Sequence, residues 1–358
     1  MSERASLLRW YRRHRRDLPW RRTRDPYAIW ISEAMLQQTR VETVLPYYQR
    51  FLGRFPDIAS LAGAELDDVL GHWAGLGYYS RARNLKRAAE MVMDRFEGSL
   101  PDEATELQRL PGVGRYTAGA IASIAFDRPD PVLDGNVTRV LTRLRGIHED
   151  VGRPEVRARL WDEAAALARG ANPGDLNQAL MELGARVCTP RSPCCQVCPL
   201  RRSCQAEKEG NPEALPHKAP RARPRRVRAG AVWLRRRGRA LAVRRPEQGL
   251  LGGLWELPGA PLARGARPEA SLAAALEASL GIPVSGLEAL GQVEHTFTHR
   301  QLTLLVFAAE PGPGRLRRRS YSAHRWVTPA AFHELPQGRV NRKALALASP
   351  PSPRRPLP

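Results

Sequence analysis

All five cysteines of this 358-residue chain fall within one window, Cys188-Thr-Pro-Arg-Ser-Pro-Cys194-Cys195-Gln-Val-Cys198-Pro-Leu-Arg-Arg-Ser-Cys204. Four of them, Cys188, Cys195, Cys198 and Cys204, are separated by six, two and five residues. That spacing lets one loop bring four thiolates round a single metal ion or an iron–sulfur cluster. A second stretch, Leu110-Pro111-Gly112-Val113-Gly114-Arg115-Tyr116, places two glycines round one apolar residue ahead of a helix rich in small residues. Such a tight hairpin aims the free N–H groups of the following helix outward, where they can hold a phosphate. A plain αα-hairpin would use the same residues. Further on, Leu133-Asp134-Gly135-Asn136 sets a carboxylate at a helix start, which is also where an ordinary N-cap belongs.

These residues need elements to hold them, and the pattern up to residue 204 is helical. Asp25-Pro26 reads as a helix start, with Asp as cap and Pro in the first turn. The helix it opens is expected to run to Thr39, and a second to follow from Arg40 to Arg50, where Val41, Val44, Leu45, Tyr48 and Phe51 recur at helical spacing. Further helices are expected at about 64–74, 80–96, 102–109, 153–169 and 174–187, the last leading into the cysteine loop, beyond which helix is not expected. Residues 205–228 shift to Pro, Arg and polar types and read as a basic linker. From 229 the apolar runs Ala231-Val-Trp-Leu, Ala240-Leu-Ala-Val and Leu302-Thr-Leu-Leu-Val-Phe look like strands, with one helix at 268–280. The expected fold is therefore a mostly α region over 1–204, its hairpin at about 108–125 and its cysteine loop at 188–204. A small α+β domain follows over 229–348, and then a Pro-rich, disordered tail over 349–358.

Lys and Arg number 57 against 36 Asp and Glu, a net charge of +21. The cations are nearly all arginines, as a GC-rich genome produces, but that bias does not explain their excess over the acids. A polyanion is the implied partner, and nucleic acid is the commonest one. No apolar run is long enough to cross a bilayer, and no signal peptide is read, so the expectation is a cytoplasmic monomer. In that compartment clustered thiols bind metals more often than they pair as disulfides.

At this point the chain resembles the endonuclease III superfamily of helix-hairpin-helix DNA glycosylases. The resemblance rests on Ser32-Glu33-Ala-Met-Leu36-Gln37-Gln38-Thr39, Gly75-Leu-Gly-Tyr78-Tyr79, the Gly112-Val-Gly114 hairpin, Leu133-Asp134-Gly135-Asn136 and the four-cysteine loop. It is most similar to the MutY-type adenine DNA glycosylases. The resemblance implies a 4Fe-4S cluster on Cys188, Cys195, Cys198 and Cys204, with Cys194 beside it and not a ligand. Zinc, the other claimant for four thiolates, usually takes two short Cys pairs. It also implies a bacterial, nucleoid-associated base excision repair enzyme acting on adenine opposite 8-oxoguanine or guanine in double-stranded DNA. Lyases of the superfamily carry a lysine two residues after the second hairpin glycine, where this chain has Tyr116. Without that amine the strand should stay intact.

Breaking the N-glycosidic bond needs an acid on the base and an anion near the sugar. By the resemblance these are Glu33, protonated because it is buried in an apolar helix, and ionised Asp134, with Tyr116 and Asn136 hydrogen-bonding round the pair. Gln37, Gln38 and Tyr78 match positions at the lesion pair, Tyr78 as a wedge in the base stack, and Gly112 and Gly114 match the phosphate-holding hairpin. Arg16, Trp20, Arg21, Leu36 and Gln178 match the adenine pocket. The C-terminal region resembles a Nudix domain through Leu254-Trp255-Glu256-Leu257-Pro258-Gly259 and Leu280-Gly281-Ile282. Its metal-binding carboxylates are replaced by Ala274-Ala275 and Ala278-Ser279, so nucleotide hydrolysis is not expected. Phe297-Thr298-His299 stands where the family's lesion-reading Phe-Ser-His loop does. The rival readings are a pyrimidine glycosylase/lyase, a non-catalytic damage-binding protein, and a Nudix hydrolase with a DNA-binding appendage. Tyr116, the Glu33–Asp134 pair and the missing Nudix carboxylates argue against them in turn.

Overall fold

The computed structural model describes residues 2–219, 224–263, 265, 267–297, 299–317 and 320–349. The tail 350–358 and Thr298 lie outside the described residues. The helical region comprises α1 (Glu3–His14), α2 (Pro26–Leu36), α3 (Val41–Arg54), α4 (Ile58–Ala62), α5 (Leu66–Trp73), α6 (Ser80–Arg95), α7 (Ala104–Leu107), α8 (Arg115–Phe126), α9 (Gly135–Arg145), α10 (Pro154–Ala168), α11 (Pro173–Arg186) and α12 (Gln205–Lys208). The C-terminal region comprises β1 (Arg225–Arg236), β2 (Arg239–Arg244), β3 (Trp255–Glu256), β4 (Gly259–Pro261), α13 (Pro268–Leu280), β5 (Val284–Phe297), β6 (Arg300–Pro311), β7 (Ala323–Val327), α14 (Pro329–Glu334) and α15 (Arg339–Ala348). Among the described residues no helix is long and apolar enough to cross a membrane.

By contacts the chain divides into two units, one of residues 2–64 and 84–219, the other of 65–83 with the described residues from 224 onward. In the first unit α2 is the innermost helix, with every residue from Tyr27 to Met35 buried. Asp25 caps it, accepting from the N–H groups of Tyr27 at 3.0 Å and Ala28 at 3.3 Å, a contact worth about 1 kcal/mol. The helix stops at Leu36 and not at Thr39, because Gln38 takes a left-handed conformation (φ 59°). Nothing in Gln37-Gln38-Thr39 breaks a helix by propensity, so the sequence pattern runs past this turn.

Helix α8 packs on α2 and α11, and its small residues allow this. Gly119 is buried so close to the following segment that a Cβ there would lie 2.2 Å from the carbonyl oxygen of Pro131. That segment delivers Asp134 to the start of α9. Residues 205–217, expected to begin a linker, fold onto the same unit: α12 forms, and Ala206 and Leu215 are buried. The reason is Arg143 of α9, a buried cation whose Nε donates to the Leu215 carbonyl at 2.9 Å.

The second unit is built on a seven-stranded mixed sheet among the described residues, ordered β3-β2-β1-β6-β5, with β4 on β1 and β7 on β2. Strands β1 and β6 run parallel and the other pairs antiparallel. The run Ala231–Leu234 is buried throughout because both faces of β1 are covered. Val232 and Leu234 pack with Leu272, Leu276 and Leu280 of α13, while Ala231 and Trp233 pack with Phe332, Val340, Ala344 and Leu345 of α14 and α15. Strand β1 begins at Arg225, four residues before the expected boundary, and β5, β7, α14 and α15 lay outside the sequence reading. Residues 65–83 belong here through the Arg244–Asp67 ion pair at 2.8 Å, Tyr79 Oη donating to the Gln337 carbonyl at 3.1 Å, and Arg83 Nη1 donating to that of Gly252 at 2.6 Å.

Gly119→Ala should destabilise the chain by about 1–3 kcal/mol, since the clashing neighbour is backbone and cannot step aside. Gly53→Ala in α3, where a Cβ meets nothing within 4 Å, should leave stability unchanged or raise it by up to about 1 kcal/mol. Urea unfolding of both variants measures the contrast.

Candidate active site

Within the first unit a cavity of about 840 Å³ opens between α2, α8, α11 and the start of α9. Glu33, Tyr116, Asp134 and Asn136 all line it, and so do Arg16, Trp20, Arg21, Leu36, Gln178, Gln37, Gln38 and Gly114. Residues spread from 16 to 178 in sequence thus meet on one surface.

Glu33 is the only charged residue of α2 and is 5% exposed. Tyr116 Oη donates to its Oε2 at 2.8 Å and also lies 3.1 Å from Met181 Sδ. Burial pushes the Glu33 carboxyl up to about 7; the Tyr116 hydrogen bond opposes the rise, the charge of Asp134 adds to it, and Arg21 pulls the other way. Asp134 is the N-cap of α9, accepting from Val137 N–H at 2.7 Å and from Asn136 Nδ2 at 3.1 Å. Burial raises it too, but those hydrogen bonds to its charged form resist, and the larger rise is at Glu33. Two carboxyls on one cavity are thereby pushed toward different protonation states.

Asn136 is itself held. Arg139 Nη2 donates to Asn136 Oδ1 at 2.9 Å and to the Gly184 carbonyl at 2.7 Å, while Arg139 Nε donates to the carbonyl of Cys188 at 2.7 Å. Gly184 permits this approach, since a Cβ there would lie 2.6 Å from Asn136 Cβ. A hydrogen-bonded path therefore runs from the carboxylate of Asp134 to the first cysteine of the loop.

In that loop Cys188, Cys195, Cys198 and Cys204 line one cavity together with Arg143 and Arg201, and Cys194 stands exposed outside it. Arg143 donates to the carbonyls of Thr189 at 2.7 Å and Pro190 at 3.1 Å, and its Nη1 lies 3.4 Å from Cys188 Sγ. Burial pushes the thiols of Cys195 and Cys198 up, to about 12 and about 11. A cationic centre binding all four sulfurs would take them as thiolates. The donor set is four thiols round one cavity beside a buried cation, the chemistry that a metal ion or an iron–sulfur cluster requires.

The hairpin turns as its glycines require. Gly112 has φ +81°, and a Cβ there would meet Asn84 Cβ at 2.7 Å. Gly114 caps α8 with open space beside it, on the cavity side. Gly112 itself does not line the cavity. Tyr78, Phe297 and His299 are described with the second unit. Tyr78 is exposed, at positive φ, with the Arg81 guanidinium 5.5 Å from its ring centroid. Phe297 is half-buried against His295, and His299 is exposed at the β5–β6 turn. Sequence reasoning missed Glu182, Met181, Thr117, Arg139 and Arg143. Of these, only the acid in the apolar run Leu180-Met-Glu182-Leu183 carried a visible signal.

Comparison with known proteins adds relatives to this geometry. Residues 31–165 match the model of the HhH-GPD superfamily base excision DNA repair proteins, and residues 230–347 match the NUDIX domain. The adenine DNA glycosylase of Rattus norvegicus is 39% identical over 92% of this chain and 74% of its own length. That of Homo sapiens is 40% identical over 92% of this chain and 71% of its own. The solved structure of a thermostable thymine-DNA glycosylase matches with a TM-score of 0.53 and 30% identity, covering 57% of this chain and 95% of that one.

The titration of Glu33 has a consequence for stability. Between its ordinary 4.5 and about 7 the folded chain keeps a proton that the unfolded chain releases, so stability falls as pH rises through this window, and the full cost is present above 7. Glu33→Gln removes that cost. It should raise the melting temperature by a few degrees at pH 8, with the gain disappearing by about pH 4.5, measured by calorimetry.

Proposed function

Because this chain belongs to the family of adenine DNA glycosylases, we propose that it excises adenine mispaired with 8-oxoguanine, or with guanine, from duplex DNA and leaves the strand uncut. The observation that carries the chemistry is the buried Glu33 carboxyl, raised to about 7 beside an Asp134 whose charged form is hydrogen-bonded. The target adenine is extruded from the stack into the cavity, whose volume suits a nucleoside. Protonated Glu33 gives its proton to adenine N7, so the leaving base does not depart as an anion. Asp134 then faces the oxocarbenium-like sugar and stabilises it, directly or through a transient covalent bond at the anomeric carbon, until water adds to that carbon, displacing Asp134 where it is bonded, and loses a proton to leave a hydroxyl there. Tyr116 holds Glu33, and Asn136 holds Asp134.

No lysine lines the cavity among the described residues, and the position where the superfamily's lyases carry one is Tyr116. With no amine to attack the sugar, the product is an abasic site in a continuous strand. The α8 N-terminus after Gly114 is positioned to hold a backbone phosphate, and Gln37 and Gln38 edge the cavity beside it. Tyr78 supplies an exposed ring for wedging between bases, and the Phe297–His299 turn reads the oxidised guanine. Cys188, Cys195, Cys198 and Cys204 would hold a 4Fe-4S cluster, whose iron would tie together the loop that anchors Arg139 through the Cys188 carbonyl.

An end-labelled duplex with one adenine opposite 8-oxoguanine tests the reading. Scission at adenine should follow only after alkali. Scission without alkali would assign lyase chemistry, and binding without release of adenine would favour a damage sensor. Glu33→Gln should bind the duplex and lose at least about a hundredfold in excision rate, and the wild-type rate should decline as pH rises through about 7.

A further inference from the structure

Glu182 on α11 is fully buried and lines the same cavity, yet neither the base chemistry nor the lesion contacts use it. Its Oε1 accepts from the backbone N–H of Arg16 at 3.1 Å and from Arg16 Nε at 2.9 Å. Its Oε2 accepts from Arg16 Nη2 and Arg21 Nη2, each at 2.8 Å. Arg186, one turn further along α11, approaches to 3.9 Å. Arg21 is also tied back, its Nη1 donating to the Arg16 carbonyl at 3.2 Å and its guanidinium lying 5.5 Å from the Tyr11 ring. Burial alone would raise the Glu182 carboxyl, but the two arginines outweigh it and hold the group down at about 2, so it is an anion at every working pH.

Arg16, Arg21 and Glu182 therefore sum to +1 at this wall and to +2 without Glu182, with Arg186 adding a further positive charge behind them. A guanidinium whose partner is lost seeks another carboxylate, because an unpaired cation at a desolvated wall is costly. The side chain of Arg21 is only 9% exposed, and besides Glu182 the carboxyl groups lining its cavity are Glu33, Asp134 and Glu42, of which Glu33 already feels the Arg21 charge. An arginine paired to Glu33 would favour its ionised form and remove the proton that excision needs.

We propose that Glu182 is a positioning residue for base excision: by pinning Arg16 and Arg21 side by side on the cavity wall, it presents their remaining N–H groups to the extruded base and keeps both cations off Glu33. This rests on the reading of the cavity as the adenine pocket with Glu33 as its acid. The charged and titratable groups that share the cavity with Glu33 are Tyr116 from α8, Asp134 from the segment entering α9, Arg16 and Arg21 from the segment before α2, Arg40 and Glu42 at the start of α3, and Glu182 from α11. Of the cations, Arg21 is the one that acts on the Glu33 charge, and Glu182 is the carboxylate that pairs it.

The test follows single-turnover adenine release by the full chain from pH 5.5 to 9 for wild type, Glu182→Gln and Glu182→Asp, with melting curves beside each. For Glu182→Gln the alkaline decline should move down by about one pH unit, so that its rate deficit is about tenfold greater at pH 8 than at pH 5.5. Glu182→Asp keeps the charge but cannot reach both guanidinium groups. It should show a smaller shift in the same direction, and is the variant to read should the Gln form not fold. A decline at the wild-type pH in the folded variants, whatever their absolute rate, overturns the proposal and leaves Glu182 a structural anchor. If wild type releases no adenine, the functional reading fails first. The Glu33 carboxyl band, followed by infrared titration in the same variants, then decides whether Glu182 governs it.

Discussion

The desolvation of one carboxyl is the constraint on which the rest of this structure depends. Glu33 sits in α2, a helix buried over nine successive residues, and its proton survives to about pH 7 because burial leaves its charged form poorly solvated. Keeping an acid there carries a stability cost at neutral pH, since the ionised form has no water and no cation of its own. The surroundings are arranged accordingly. Tyr116 supplies a single hydrogen bond, Met181 an apolar neighbour, and the nearby arginines are already occupied by Glu182. A more generous set of donors would stabilise the fold and ionise the acid.

Asp134 shows the opposite solution a short distance along the same cavity. Its carboxylate is an N-cap, so the backbone of α9 and the amide of Asn136 replace the solvent it has lost. Arg139 extends that support to Gly184 and to the carbonyl of Cys188, and Arg143 ties the cysteine loop and Leu215 to the same helix. Helix α9 thus carries the Asp134 carboxylate at one end and hydrogen-bonds the cysteine loop along its length.

Much of this was legible from residues alone. The cysteine loop announced itself by spacing and the hairpin by glycines that the backbone needs, while Glu33 stood out only through the resemblance carried by Ser32-Glu33-Ala-Met-Leu36-Gln37-Gln38-Thr39, since a lone glutamate on a helix reads as a solvated face. What escaped the sequence shares a physical cause, which is partnership across long separations. Glu182 stands out only as an acid in an apolar run, and what it is for appears when Arg16 and Arg21 arrive from more than 160 positions away. Arg143 looks like one more arginine in an arginine-rich chain until carbonyls of a distant loop surround it. The stop of α2 at Leu36 depends on one backbone angle at Gln38, and the grouping of residues 65–83 with the sheet depends on contacts such as Asp67 with Arg244. Local propensity contains none of these. The α14 and α15 helices were missed for a simpler reason, that Pro and Gly at 336–338 resemble a loop running to the tail.

The central claim, that burial raises the Glu33 carboxyl to about 7 so that a protonated fraction remains near neutral pH, is open to direct observation. Infrared difference spectra between the wild-type chain and Glu33→Gln, recorded from pH 4 to 9, isolate the carbonyl stretch of this one carboxylic acid. The account requires that band to persist at pH 6 and to titrate away near 7. A band already lost near the ordinary 4.5 would mean that Glu33 is ionised at working pH, and the assignment of the acid would have to be abandoned.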